Sequence, residues 1–212
     1  MNKEVQSPEQ LHDIMEKSLV SPATPLSQNS WVTLVESLDL FFKSLQFGRV
    51  RGLVDIIDTP DHRLRDNSKY LQLIRELIQH DIMITISGCQ TIETPPAGAV
   101  DQDLFQFAGD GLSEFCDFIG VRPVLYIGRT NEPEIVDFYN EIAQRADVKL
   151  PDLPVATVAP GRYQEQIENF GNIFTLEKDP GISADLINAQ IHEKRLALKW
   201  CDRCGGCFSP FS

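Results

Sequence analysis

The sequence predicts a doubly wound α/β domain on a mainly parallel, Rossmann-like sheet, with a helical N-terminal arm and a Cys-rich C-terminal tail. Three observations predict it. Short β-branched runs alternate with amphipathic stretches from about residue 51 to residue 200, the pattern of parallel strands covered on both faces by crossover helices. A strongly apolar helical stretch precedes the first of these runs, and three of the five cysteines crowd into the last dozen residues.

In chain order, residues 1–29 are polar, with Ser-Pro, Pro-Leu-Ser and Gln-Asn-Ser steps, and only Leu11, Ile14 and Met15 allow a short helix over 8–18. Ser30 is placed to cap a helix to about Phe47, where Val35, Leu38, Phe41, Phe42 and Leu45 form a broad apolar stripe and Gly48 ends it. So wide a stripe predicts packing on another surface, a partner's included. Strands are expected at Arg51–Asp58, Asp81–Ser87, Val121–Gly128, Leu153–Ala159 and Ile173–Glu177. Helices are expected at Asn67–His80, Asp103–Ile119, Pro133–Arg145 and Ile182–Trp200, with a short one after the fourth strand. The expected divisions are therefore a linker and arm over 1–47, the Rossmann-like domain over 48–200 and the tail over 201–212.

Of 212 residues, 42% are hydrophobic and 24% charged, which excludes a wholly disordered, collagenous or coiled-coil chain. Acids outnumber bases 31 to 19, and a net charge of -12 repels nucleic acid and anionic lipid. No apolar run reaches the roughly 18–20 residues that cross a bilayer. Neither nucleic acid nor membrane is an expected partner, and the expected setting is cytoplasmic. There, an odd count of five cysteines favours metal binding or free thiols over a disulfide framework.

Parallel strands place their carboxyl ends on one edge, where ligands bind. The strands are followed by Asp58-Thr59-Pro60, Gly88-Cys89-Gln90, Gly128-Arg129-Thr130 and Pro160-Gly161-Arg162. In these strands and turns the chain resembles nickel–iron–sulfur carbon monoxide dehydrogenase and, more distantly, the hybrid cluster protein. The matching stretches are GRVRGLVDIID at 48–58, ELIQHDIMITISGCQT at 76–91, VRPVLYIG at 121–128 and DLPVATVAP at 152–160, then FTLEKDP and IHEKRLAL. The resemblance implies Rossmann-like domains whose turns supply cysteines to an active-site cluster. Against that pattern, Asp58-Thr59-Pro60 replaces Gly-Cys-Asn, Gly128-Arg129-Thr130 replaces Gly-Ser-Cys, and Gly88-Cys89 is retained. A threonine hydroxyl is a poor substitute for a thiolate, so the departures imply a relative that has lost most of its cluster ligands.

Two sets of residues remain as metal candidates. Asp58, Asp61, His62 and Cys89 could bind a divalent ion in the crevice, with Thr59, Arg129 and Thr130 beside them. Gly109-Asp110-Gly111 opens a helix that, with Arg129, could receive an anion. More specific is the tail, where Cys201, Cys204 and Cys207 follow the C-x2-C-x2-C spacing of [4Fe–4S] loops around the turn-forming pair Gly205-Gly206. Cys89, Cys116 or a partner's residue would supply the fourth ligand, and zinc is the competing occupant. The functional expectation is an accessory or electron-transfer subunit that docks on a larger iron–sulfur oxidoreductase subunit or self-associates. The alternatives are a non-catalytic scaffold or regulatory module, and an enzyme with new chemistry at Asp58, His62 and Cys89.

Overall fold

Six consecutive buried residues form β1 (Gly52–Ile57), and six more form β2 (Ile82–Ser87). Strands dry on both faces belong in the interior of a covered sheet. A computed structural model describes residues 26–57, 68–87, 104–128, 133–159, 172–176 and 179–200. With β3 (Val124–Gly128), β4 (Val155–Val158) and β5 (Asn172–Phe174), the strands make one five-stranded parallel sheet in the order β3-β2-β1-β4-β5. The helices are α1 (Leu26–Glu36), α2 (Leu38–Phe47), α3 (Ser68–Gln79), α4 (Asp110–Ile119), α5 (Pro133–Ala146) and α6 (Pro180–Ala197). The doubly wound, Rossmann-like architecture is the expected one.

The strand order explains the two covered faces. The chain steps outward from β1 to β3, then returns to β4 and β5, and right-handed crossovers on opposite headings fall on opposite faces. Helix α3 packs on β2 and against α6, which also reaches β4. A Cβ on Gly52 would meet a side-chain carbon of Ile191, on α6, at 2.8 Å, so β1 approaches α6 too closely for any larger residue. Asp55, three residues on, points to the other face, where Tyr139 of α5 lies beyond Thr85.

At the N-terminus two helices replace the single one expected. Ser30 lies inside α1 rather than capping it, and the break falls at Ser37, a non-helical residue with φ -97° and ψ 21°. Gly48 ends α2 with φ 76°, as its place in the sequence requires. The apolar stripe is buried, but by this chain's own domain. Trp31 packs edge-on to Phe138 at 4.9 Å, and Phe41 lies 5.8 Å from both Phe115 of α4 and Phe138 of α5. Trp31, Leu34, Leu38, Phe41 and Leu45 join the same core as the sheet, while Val35 stays exposed. The described part of the arm is thus integral to the domain, and the boundary expected at residue 47 divides a continuous core.

The last helix closes on the first ones. Asp179 caps α6 by accepting the Gly181 N–H at 2.9 Å, with Pro180 opening the first turn. Near its end the fully buried Arg195 donates through Nη1 to the carbonyls of Leu45 and Arg51 and lies 5.8 Å from the Trp200 ring. Trp200 stands edge-on to Phe42 at 6.0 Å. Several boundaries differ from expectation, the start of β3 at Val124 rather than 121 among them. Helix α4 begins at Asp110 rather than 103, β5 covers 172–174 rather than 173–177, and α6 stops at Ala197, where Lys199 turns out with φ 58°.

Candidate functional site

The carboxyl edge of the sheet is where the fold concentrates polar groups among the described residues. Asp55 of β1 is registered against Thr85 of β2 and Thr157 of β4, so one row across the three central strands carries a carboxyl and two hydroxyls on the same face. All three are buried. Thr85 donates to Asp55 Oδ1 at 2.8 Å, and Ser87, the last residue of β2, donates to Oδ2 at 2.6 Å. From α5, the Tyr139 hydroxyl lies 3.3 Å from Thr85 Oγ1. The β2–β3 register slips between Ile86 and Ser87, a bulge that ends regular pairing at this edge.

Burial governs the electrostatics. Removal from water pushes the Asp55 carboxyl up to about 6, against the pull of the Ser87 and Thr85 hydroxyls. Burial, with the adjacent Asp55 charge, holds the Tyr139 phenol well above its usual value. The result is a hydrogen-bonded rail, Tyr139–Thr85–Asp55–Ser87, that ends one residue before Gly88-Cys89. Such a rail can store one proton below the crevice without exposing it to water. Its donor atoms are all oxygens and suit a nickel–iron–sulfur cluster poorly, because such clusters are held by thiolates.

The sequence-predicted residues Asp58, Thr59, Asp61, His62, Cys89, Arg129 and Thr130 lie outside the described residues, as do Cys201, Cys204 and Cys207. The strands leading to them are described. Asp58 and Cys89 follow adjacent strands, β1 and β2, whereas Arg129 follows β3, one strand further out. The direction of winding reverses between β1 and β4, so the topological switch point lies between the carboxyl ends of these two strands. Among the described residues, no group of three His, Cys, Asp or Glu could hold a metal. In the same residues, no helix is long and apolar enough to cross a membrane.

Two expectations are corrected. The start of α4 receives no external anion, because it faces the carboxylate of Asp81, which accepts the Leu112 N–H at 2.8 Å. Asp81 precedes β2, so this contact lies at the amino edge, opposite the carboxyl end of β3 that leads to Arg129. The glycines there serve packing: a Cβ on Gly109 would fall 2.3 Å from Asp81 Oδ1, and one on Gly111 2.5 Å from the Arg49 carbonyl. Cys116, a candidate fourth ligand, is a buried core residue whose thiol burial pushes up to about 12. It stays protonated and packs as a small hydrophobe. Asp55 is the residue that sequence reasoning passed over. Its signal was a lone acid inside the apolar run LVDII.

The profile of the Prismane/CO dehydrogenase family matches residues 2–167. Carbon monoxide dehydrogenase 2 of Methanosarcina acetivorans is 32% identical over 144 residues, covering 66% of this chain and 22% of that protein. Among solved structures, carbon monoxide dehydrogenase from Thermococcus sp. AM4 superposes with a TM-score of 0.63 at 22% identity, over 80% of this chain and 33% of that one. An acetyl-CoA synthase/carbon monoxide dehydrogenase structure described as holding NiZn[Fe4S4] and NiNi[Fe4S4] clusters gives 0.62 at 17% identity, with the same coverage. The chain thus spans about a fifth of the length of the curated relatives it matches and a third of the solved ones.

Proposed function

The chain belongs to the Prismane/CO dehydrogenase family, and from that membership we propose that it is an accessory, electron-transferring subunit of an iron–sulfur oxidoreductase. In this reading Cys201, Cys204 and Cys207 bind one [4Fe–4S] cluster. The observation that carries it is the anchoring of Trp200, which is 6% exposed, edge-on to Phe42 and beside the buried Arg195. The first thiolate of the motif follows directly on a fixed point of the core, which favours preorganised ligation. The carboxyl edge, with oxygen donors below it and threonines in place of two family cysteines, supports a role away from carbon monoxide oxidation.

The fourth ligand is best sought on a partner. Cys116 is in the core, and Cys89 follows the carboxyl end of β2, whereas Trp200 sits near the amino edge beside Arg195 and the Arg51 carbonyl. The height of β2 separates those edges, roughly 17–20 Å at about 3.3 Å per residue. Reconstitution under anaerobic conditions with iron, sulfide and a small thiol as surrogate fourth ligand tests the reading. About four iron atoms per chain are expected, lost in Cys204→Ser and retained in Cys89→Ser. Zinc held by the same three cysteines would instead favour the scaffold. One divalent ion lost on His62→Ala would favour new chemistry in the crevice, and no metal under any condition would sink the cluster.

A further inference from the structure

Two networks meet at Tyr139. One is the rail that joins its hydroxyl to Thr85 and Asp55. The other is a run of packed rings. Trp31 of α1 stands edge-on to Phe138 at 4.9 Å, and Phe138 edge-on to Tyr139 at 6.0 Å. Such separations are those of directly packed aromatic pairs. Trp31 is 8% exposed, and Val32 and Val35 in the same helix are exposed, so the run begins near the surface and ends on a buried phenol. Indole and phenol are, after thiols, the side chains that lose an electron most easily, and Phe138 bridges them.

The hydrogen bonds fix where the phenol proton can go. Thr85 has a single hydroxyl hydrogen, and it is given to Asp55 Oδ1 at 2.8 Å. Towards Tyr139, 3.3 Å away, Thr85 can therefore only accept, and the phenol donates. Ser87 also points at the carboxyl, into Oδ2 at 2.6 Å. With Asp55 ionised, every hydroxyl proton of the rail is thus aimed towards its carboxylate. The groups facing Asp55 are Thr85 and Ser87 from β2, Thr157 from β4 and Tyr139 from α5, all uncharged at neutral pH. While the phenol keeps its electrons it keeps its proton, because lost hydration and the Asp55 charge both disfavour the phenolate. Loss of one electron reverses this, since an oxidised phenol is a strong acid. A carboxylate two hydrogen bonds away, titrating at about 6, is then an acceptor matched to neutral pH.

We propose that Tyr139 is a redox-active tyrosine, which reduces a strong outer-sphere one-electron oxidant arriving at Trp31. The electron leaves through Phe138 and the Trp31 indole. In the same step the Tyr139 O–H bond breaks, its proton passes to Thr85 Oγ1, and the Thr85 hydroxyl proton passes to Asp55 Oδ1. The products are a neutral phenoxyl radical, an Asp55 carboxylic acid and the oxidant one electron richer. A one-electron reductant acting through the same rings returns the electron, and the two protons retrace their path. Tyr139 is 4% exposed, so the radical is kept from water and from other chains while it lasts. The activity goes beyond the cluster reading and does not rest on it, because none of these residues lies in the tail.

Flash photolysis of the full chain, free of metal and oxygen, tests it, with laser-generated tris(bipyridine)ruthenium(III) as the oxidant. Cys89, Cys201, Cys204 and Cys207 are replaced by Ser in the parent so that thiols do not compete. At pH 8 a neutral phenoxyl is expected, read by its narrow absorption band and its electron paramagnetic resonance spectrum, and Tyr139→Phe should abolish it. Trp31→Phe should slow its appearance about tenfold and Asp55→Asn about a hundredfold, with far-UV circular dichroism unchanged in all three variants. In the parent the rate should fall as the pH drops through 6, because Asp55 then already holds its proton, and Asp55→Asn should remove that inflection. No phenoxyl at all, one on Tyr70, Tyr126 or Tyr163 that survives Tyr139→Phe, or a rate indifferent to Trp31→Phe or to Asp55→Asn would each overturn the proposal.

Discussion

At residue scale the central oddity is a carboxyl inside the sheet. Asp55 sits at about 6 in the fold, raised by burial from its ordinary 3.8. The folded chain therefore holds this proton more tightly than the unfolded one. Stability from that difference is full below pH 4 and is lost as the pH rises through 6. A gap of about two units corresponds to roughly 3 kcal/mol. Asp55→Asn keeps the shape and removes the charge, so it should be the more stable protein at pH 8, by up to that amount, and lose the advantage near pH 4. Urea denaturation of both proteins at several pH values measures it; parallel profiles would contradict the burial of a titrating carboxyl. The acid itself was legible in the sequence, but its partners were not. Thr85, Ser87, Thr157 and Tyr139 come from two other strands and a helix, and only the register of β1 with β2 and β4 brings them to it.

At the scale of elements, alternation of β-branched runs and amphipathic stretches gave every described strand and most helices, because those periods reflect which faces are dry. Boundaries were missed where tertiary contacts decide them. The break at Ser37 lets α1 and α2 present Trp31 and Phe41 to the same Phe138, and nothing local in Val-Glu-Ser-Leu requires it. The late start of α4 reflects Asp81, which supplies an acceptor from another element. Gly109→Ala should therefore destabilise by about 2 kcal/mol or more, since its Cβ collides with that carboxylate. The buried Arg195 offers a second test. Arg195→Met removes the donor to Leu45 and Arg51 and should cost on the order of 3 kcal/mol in thermal or chemical unfolding. Arg195→Lys should restore only part of it, because an ammonium can donate to carbonyls but loses the flat guanidinium contact with the Trp200 ring.

At the scale of the molecule, the arm and the sheet share one core. Trp31, Leu34, Leu38, Phe41 and Leu45 are buried, and each such side chain contributes about 1.5–3 kcal/mol, so together they rival the net stability of a domain. A chain beginning at residue 48 should aggregate or unfold without cooperativity, and a soluble, cooperatively melting product would refute the shared core. The intact isolated chain, reconstituted anaerobically with nickel, iron and sulfide, should show no carbon monoxide oxidation; measurable nickel-dependent turnover would refute that. The clasp between the two ends of the fold has a further consequence, for synthesis. Arg195 reaches a carbonyl 150 residues earlier, and Phe42 waits for Trp200. At about 5–20 residues per second, a ribosome needs roughly 8–30 s to make that span. Through that interval the aromatic face of α2 is on the nascent chain without its last cover, and it is the surface a chaperone would meet.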